Sequence, residues 1–198
     1  AHCEYTSLDP ADWREHDVWI YIPPDTFEMG ASAADGGGDE ERPVHTVTFS
    51  VGYFIQKYEN TVQTYDACVD LGSCSAAAVD DEVVWGLNTA AAGRGDHPQN
   101  GLDDLRAGQL CSWLAPQSRV PSEAEWEFAA TGPAHRKYPW GDTPAPFCSG
   151  GYATFNEVGV SPAADGCGAG GTVAVGSALA GASYVGALDM AGNVWEHT

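Results

Sequence analysis

A mixed α+β domain with little regular secondary structure is predicted by three features of the 198-residue sequence. Short apolar runs end at turn residues. Three segments carry an apolar stripe of helical period, two of them behind a capping residue. The 24 glycines and 12 prolines break the remainder into turns and long irregular stretches. The length suits one domain with a real core, and 43% hydrophobic residues argue for a packed globule rather than disorder. Seven tryptophans point to an aromatic core that must also satisfy indole N–H groups.

The elements follow in chain order. Residues 1–17 are polar, with Cys3 as the one evident tether, and read as an N-terminal extension to a domain over 18–198. Val18-Trp19-Ile20-Tyr21-Ile22 ends at Pro23-Pro24 and predicts a short strand, with Thr26–Gly30 as its hairpin partner. Residues 31–42 are small, glycine-rich and acidic, as a solvated loop would be. Val47, Phe49, Val51, Tyr53 and Ile55 then alternate with Thr46, Thr48, Ser50 and Gly52, a period of two that turns one apolar face inward.

Asn60 or Thr61 can cap a helix over 62–70, where Val62, Tyr65 and Val69 share a stripe. A second helix fits 103–114 through Ala107, Leu110, Cys111 and Leu114. A third starts at Ser122, which forms a capping box with Glu125, buries Trp126, Ala129 and Ala130, and stops at Gly132-Pro133. Beyond residue 138 turns dominate, with one short strand expected over Thr172–Val175.

The formal net charge is −20, from 28 acidic and 8 basic residues. Such a surface repels nucleic-acid phosphates and anionic membranes, so no nucleic-acid partner is expected. No apolar run is long enough for a membrane span. The six cysteines are scattered, without CxxC or zinc-finger spacing. They read either as disulfides formed outside the cytosol or as buried thiols within it. Ala1 in place of an initiator Met fits a mature end left by signal-peptide cleavage, hence a secreted, cell-surface or periplasmic protein.

Several segments resemble, in order, the motifs of one family. Thr26-Phe27-Glu28-Met29-Gly30 is similar to its opening GTFxMG. Glu41-Arg42-Pro43-Val44-His45, followed by Phe54–Val62 (FIQKYENTV), resembles E-x-P-x-H-x-V and F-x-I-x-K-x-E-V-T. Arg119–Glu127 (RVPSEAEWE) resembles RLPTEAEWE, and Tyr138-Pro139-Trp140-Gly141 matches YPWG. Val175-Gly176-Ser177 and Gly186–Glu196 (GALDMAGNVWE) resemble VGS and GLYDMAGNVWEW. On these residues the chain is identified as a member of the formylglycine-generating-enzyme, or sulfatase-modifying-factor, family. The resemblance implies that family's variant of the C-type-lectin-like fold, with short helices around small antiparallel sheets. It also implies a domain incomplete at its C-terminus, because the family's RGGSW and GFR segments are missing.

Read residue by residue, most of these motifs are structural. Trp126 and Trp140 are expected to pack, and Gly141 to permit a turn. Asn193 and Glu196 differ: an amide oxygen and a carboxylate three residues apart, beside a Gly-flanked turn, are hard oxygen ligands suited to Ca²⁺. The resemblance carries a structural calcium site onto Asn193 and Glu196, with backbone oxygen from Gly192 or Val194. The simpler reading is that both side chains only brace the turn. A second family site falls between YPWG and VGS, on Asp165 and, more weakly, Asn156. There the usual AN dipeptide is replaced by Gly151-Tyr152-Ala153-Thr154.

Cys68 and Cys74 flank a predicted helix end and its Gly72 turn, so a bridge there would pin the helix. Cys148 and Cys167 bracket the stretch holding the second candidate site, and a bridge between them would contribute roughly 3 kcal/mol. Cys3 and Cys111 remain: they pair, or Cys111 is a buried thiol in its stripe, where the family often has YCxWL. Six cysteines allow many connectivities, so other pairings stay open.

Family enzymes oxidise a substrate cysteine with O₂ at a Cu(I) held by two thiols, which suit a soft metal. The catalytic cysteines follow GNVWE, and none of the six here matches them, so copper is not expected in this chain. Nor do His2, His16, His45, His97, His135 and His197 form an iron-binding triad of the hercynine-oxygenase kind. Two functions follow as expectations. One is a non-catalytic structural or binding module that engages a protein partner or its own copies. The other is part of an oxidoreductase whose catalytic thiols lie in a missing or separate C-terminal companion segment.

Overall fold

The computed structural model describes residues 2–5, 19–32, 38–77, 87–155 and 165–198. Among these residues, five short strands and three α-helices succeed one another: β1 (Glu4–Tyr5), β2 (Trp19–Ile22), β3 (Thr26–Met29), β4 (His45–Thr48), β5 (Tyr53–Gln56), α1 (Val62–Asp70), α2 (Asp104–Leu114) and α3 (Glu123–Thr131). Single 3₁₀ turns punctuate the remainder. This is the α+β arrangement with small antiparallel sheets that the sequence predicts.

The strands form two sheets, one of order β1-β5-β2 and one pairing β3 with β4, all antiparallel. Two expectations change here. Thr26–Met29 is not the hairpin partner of β2: it pairs with β4, Phe27 opposite Val47, while β2 pairs with β5, Ile20 opposite Ile55. The alternating run 46–55 is likewise two strands in two sheets, not one. The break falls at Gly52, where a Cβ would stand 2.5 Å from the Tyr21 hydroxyl and 2.7 Å from the Ile22 carbonyl oxygen. Phe49 N–H leaves the run to donate to Asp25 O at 2.8 Å. Val51, at the bend, turns outward, while Val47, Phe49, Tyr53 and Ile55 still reach the core.

Glu4 and Tyr5, which their polarity set apart with the extension, belong to the central sheet. Glu4 stands opposite Ile55, exchanges two backbone hydrogen bonds with Arg119, and is fully buried with His2 and Cys3.

The main core packs both sheets against α3. Phe27 and Phe49 meet Phe128 edge-on at ring distances of 5.1 and 5.6 Å, and Ile22, Ile55, Ala129, Ala130, Ala187 and Met190 complete it. Trp126 is only half-buried, at the margin. A smaller cluster of Tyr65, Cys68, Cys74 and Leu110 joins α1 to α2. The first and third helices begin on predicted caps, and the second on Asp103. Thr61, rather than Asn60, accepts Thr64 N–H; Asp103 accepts Arg106 N–H; Ser122 and Glu125 form the capping box. Asn60 is instead buried and exchanges amide hydrogen bonds with Gln56. Thr172–Val175 forms no strand, because Val173 N–H goes to the Asn193 side chain and Val175 N–H to Asp96 O.

Three disulfides close the framework: Cys3–Cys111, Cys68–Cys74 and Cys148–Cys167. The first fastens the N-terminal strand to α2, so Cys111 is a bridge partner and not a thiol.

Candidate functional site

The longest-range polar contacts converge on the GNVWE turn. Gly192 has a φ of +88°, and a Cβ there would stand 2.3 Å from Thr154 O, so this close backbone approach requires glycine. Asn193 and Asp189 both have a φ of +61°, a left-handed conformation that Asn and Asp tolerate better than most residues. Asn193 N–H donates to Thr154 O at 2.7 Å. Its side chain accepts Val173 N–H at 3.0 Å and donates to Glu59 Oε2 at 2.7 Å and Val173 O at 3.3 Å. One amide thereby binds three separate segments together.

Glu196 lies on the other side of the same cluster. The His2 Nδ1–H reaches both carboxylate oxygens at 2.8 Å, and the Trp126 indole N–H donates to Oε2 at 2.7 Å. The side chains of His2 and Glu196 are 0% and 5% exposed. Burial alone would push the Glu196 carboxyl up, but the His2 charge and hydrogen bond outweigh it and hold the group at about 2. Glu59 behaves oppositely. Burial, then repulsion from Glu196 and Asp189, drives its carboxyl well above the usual carboxylate range, against the Asn193 hydrogen bond. Glu59 Oε1 and His2 Nε2 are buried without hydrogen-bond partners. Asp189 accepts Gly176 N–H, and burial raises its carboxyl too.

Of the two principal candidate ligands, Asn193 hydrogen-bonds Glu59 and Glu196 acts on it through space, while Gly192 precedes Asn193 and Val194 follows it in the turn. As the side chains stand they do not fit a calcium ion. Asn193 Oδ1 is taken by a backbone N–H and both Glu196 oxygens by ring N–H donors. No group of three His, Cys, Asp or Glu side chains among the described residues converges to hold a metal. Asp165 lies in the turn Asp165–Gly168 beside the Cys148–Cys167 bridge. Asn156 lies outside the described residues.

His2, Glu59 and Asp189 escape sequence reasoning as members of this cluster. Glu59 stood in a quoted motif and Asp189 beside GNVWE, which is a signal of place but not of role. His2 offered none beyond its neighbour Cys3.

A second feature is a cleft of about 480 Å³ between β3, β4 and α3, lined by Met29, Pro43, His45, Glu127, His135 and Arg136 among others. Glu127 accepts Gly30 N–H at 2.8 Å, and burial raises its carboxyl. His135 donates from Nε2 to Gly30 O at 2.6 Å, and His45 from Nδ1 to Pro43 O at 3.0 Å.

Residues 5–198 match the sulfatase-modifying factor enzyme 1-like domain. The chain belongs to that family. It is 29% identical over 164 residues to the formylglycine-generating enzyme of Streptomyces coelicolor, covering 64% of this chain and 51% of that protein. It is 30% identical over 201 residues to the hercynine oxygenase of Mycobacterium tuberculosis, covering 87% and 43%. It is also 27% identical over 226 residues to the inactive Cα-formylglycine-generating enzyme 2 of Bos taurus, covering 90% and 69%. The chain thus spans about half the length of the first of these enzymes and less of the second. The structure of PvdO from Pseudomonas aeruginosa superposes with a TM-score of 0.68 at 21% identity, over 90% of this chain and 69% of that one, which establishes the shared fold. No helix among the described residues is long and apolar enough to cross a membrane.

Proposed function

We propose that this chain is a non-catalytic member of the family, a structural or binding module that works outside the cytoplasm. The observation that carries the reading is the state of its thiols. All six cysteines are consumed in three disulfides, so the chain offers no thiolate pair for copper. Three bridges in a domain this size also fit an oxidising compartment. The inactive bovine relative is a precedent for the scaffold without the chemistry. Recognition of a protein partner, or of a second copy, would use the irregular loops and Trp195, whose side chain is fully exposed.

Thiol labelling of the unfolded, unreduced protein tests the reading, together with oxygen uptake in the presence of Cu(I) and a cysteine-containing peptide. No labelled thiol and no uptake above a copper-only control are expected. A labelled thiol or peptide-dependent uptake would overturn it.

The same Trp195 favours a second reading, in which a companion segment covers that ring and supplies the catalytic thiols. Intact-mass analysis of native material distinguishes the two, since a tightly bound second chain or a longer product supports the companion.

A further inference from the structure

The GNVWE cluster gathers three buried carboxyl groups. Glu59 and Asp189 are 2% and 4% exposed, and the Glu196 side chain is 5% exposed. Glu196 and Asp189 both act on Glu59 through space. A buried carboxylate is costly unless it is paired and hydrogen-bonded. The resemblance implies a calcium ion at this place, yet the oxygens that would bind it are engaged by N–H donors. What meets Glu196 is a side chain from the far end of the chain, 194 residues away: His2, fully buried, with Nδ1 at 2.8 Å from each oxygen.

His2 is held there by its neighbours. Cys3 is bridged to Cys111 in α2. Cys3 N–H donates to Gln56 Oε1 at 2.7 Å, and Cys3 O accepts Gln56 N–H at 3.0 Å. Glu4 pairs with Ile55 and forms a 2.8 Å ion pair with the Arg119 Nε. These restraints deliver the ring to the carboxylate. The ring sits there with its Nε2 unpartnered, so satisfying Glu196 takes precedence over satisfying the imidazole itself.

We propose that His2, hydrogen-bonded through Nδ1 to both oxygens of Glu196, closes that carboxylate to a metal ion, so that this domain holds its GNVWE turn without calcium. Removing the ring would free Glu196 Oε1, a hard oxygen donor, beside the space the imidazole leaves. A divalent cation could then enter.

The test compares wild type with His2→Ala and the milder His2→Gln, each melted in EDTA and in millimolar CaCl₂, with calcium binding followed by titration calorimetry. Wild type should melt at the same temperature in both buffers and bind no calcium stoichiometrically. His2→Ala should melt roughly 5–10 °C lower in EDTA, as expected when a buried carboxylate loses a hydrogen-bond donor, and recover part of that in CaCl₂ with one ion bound. If His2→Ala does not fold, His2→Gln and the wild-type arm still decide. Stoichiometric calcium binding by wild type, or an EDTA-induced drop in its melting temperature, would overturn the proposal. So would variants that fold and remain indifferent to calcium.

Discussion

The part of the domain built by the two sheets and α3 and the part that follows α3 are held together by different physics. In the first, Phe27, Phe49 and Phe128 interlock around Ile22 and Ile55, and regular backbone pairing satisfies the polar groups. In the second, no strand or α-helix forms after Thr131 among the described residues. Backbone groups there find partners one at a time: Val173 with Asn193, Gly176 with Asp189, Ser183 with Ala187. Apolar burial is non-directional and tolerates local error. A web of single hydrogen bonds does not, since each unsatisfied buried group costs its full desolvation.

The sharpest way to break the contrast is Phe128→Ala. Phe128 is 1% exposed and meets the rings of Phe27 in β3 and of Phe49 just after β4. Its truncation removes a large side chain from a core that cannot fully collapse, at a cost of about 3–5 kcal/mol. In a domain of this size that lowers the melting temperature by roughly 10 °C. Hydrogen exchange should accelerate throughout, in the sheets and the later segments alike, because the damage is global.

Asn193→Ala probes the other region and should cost less, about 2 kcal/mol, by stranding Val173 N–H and withdrawing a donor from Glu59. Its signature is locality. Exchange should quicken at Val173, Thr154 and Gly192 while β5 and α3 keep wild-type protection. Uniform acceleration would mean that the two regions unfold as one unit, and that the distinction drawn here is one of appearance.

The same division explains what the sequence could and could not reveal. The helices were legible because their apolar stripes are local, and Thr61 and Ser122 cap two of them within three residues of the N–H groups they accept; Asp103 caps the third in the same way. Strand existence was legible from the alternation at 46–55, but strand pairing was not. Pairing depends on which edge meets which, and Gly52 breaks the run because Tyr21 approaches it from a different strand. At the candidate site, Asn193 and Glu196 stood out because they are three apart in a recognisable motif. The groups that determine their chemistry arrive from 134 and 194 residues away, through Glu59 and His2. Nothing local encodes such contacts, and polarity alone set His2 aside with an extension to which it does not structurally belong.

The smallest effect concerns the seam between the regular sheets and α3. Arg119 donates to both oxygens of Glu125, at 3.0 and 2.8 Å, and pairs with Glu4 through its Nε. Burial pushes the Glu125 carboxyl up, but the hydrogen bonds from Arg119 and Ser122 prevail and hold it below its ordinary value. A depressed carboxyl means that the unfolded chain binds the proton more readily than the native one in acid. The stabilisation is therefore complete above the ordinary glutamate range near 4.3 and fades as pH falls through the lower native value. Glu125→Gln preserves a capping-box partner for Ser122 while removing the charge. Because Arg119 is about half exposed and solvent screens the pair, the loss at neutral pH should be only about 1 kcal/mol. The melting curves of variant and wild type should then converge as pH falls through the lowered native value, where the wild-type carboxyl is neutralised and matches the uncharged variant. A difference that persists unchanged into acid would mean that Glu125 stabilises α3 by shape and hydrogen bonding, with its charge contributing nothing.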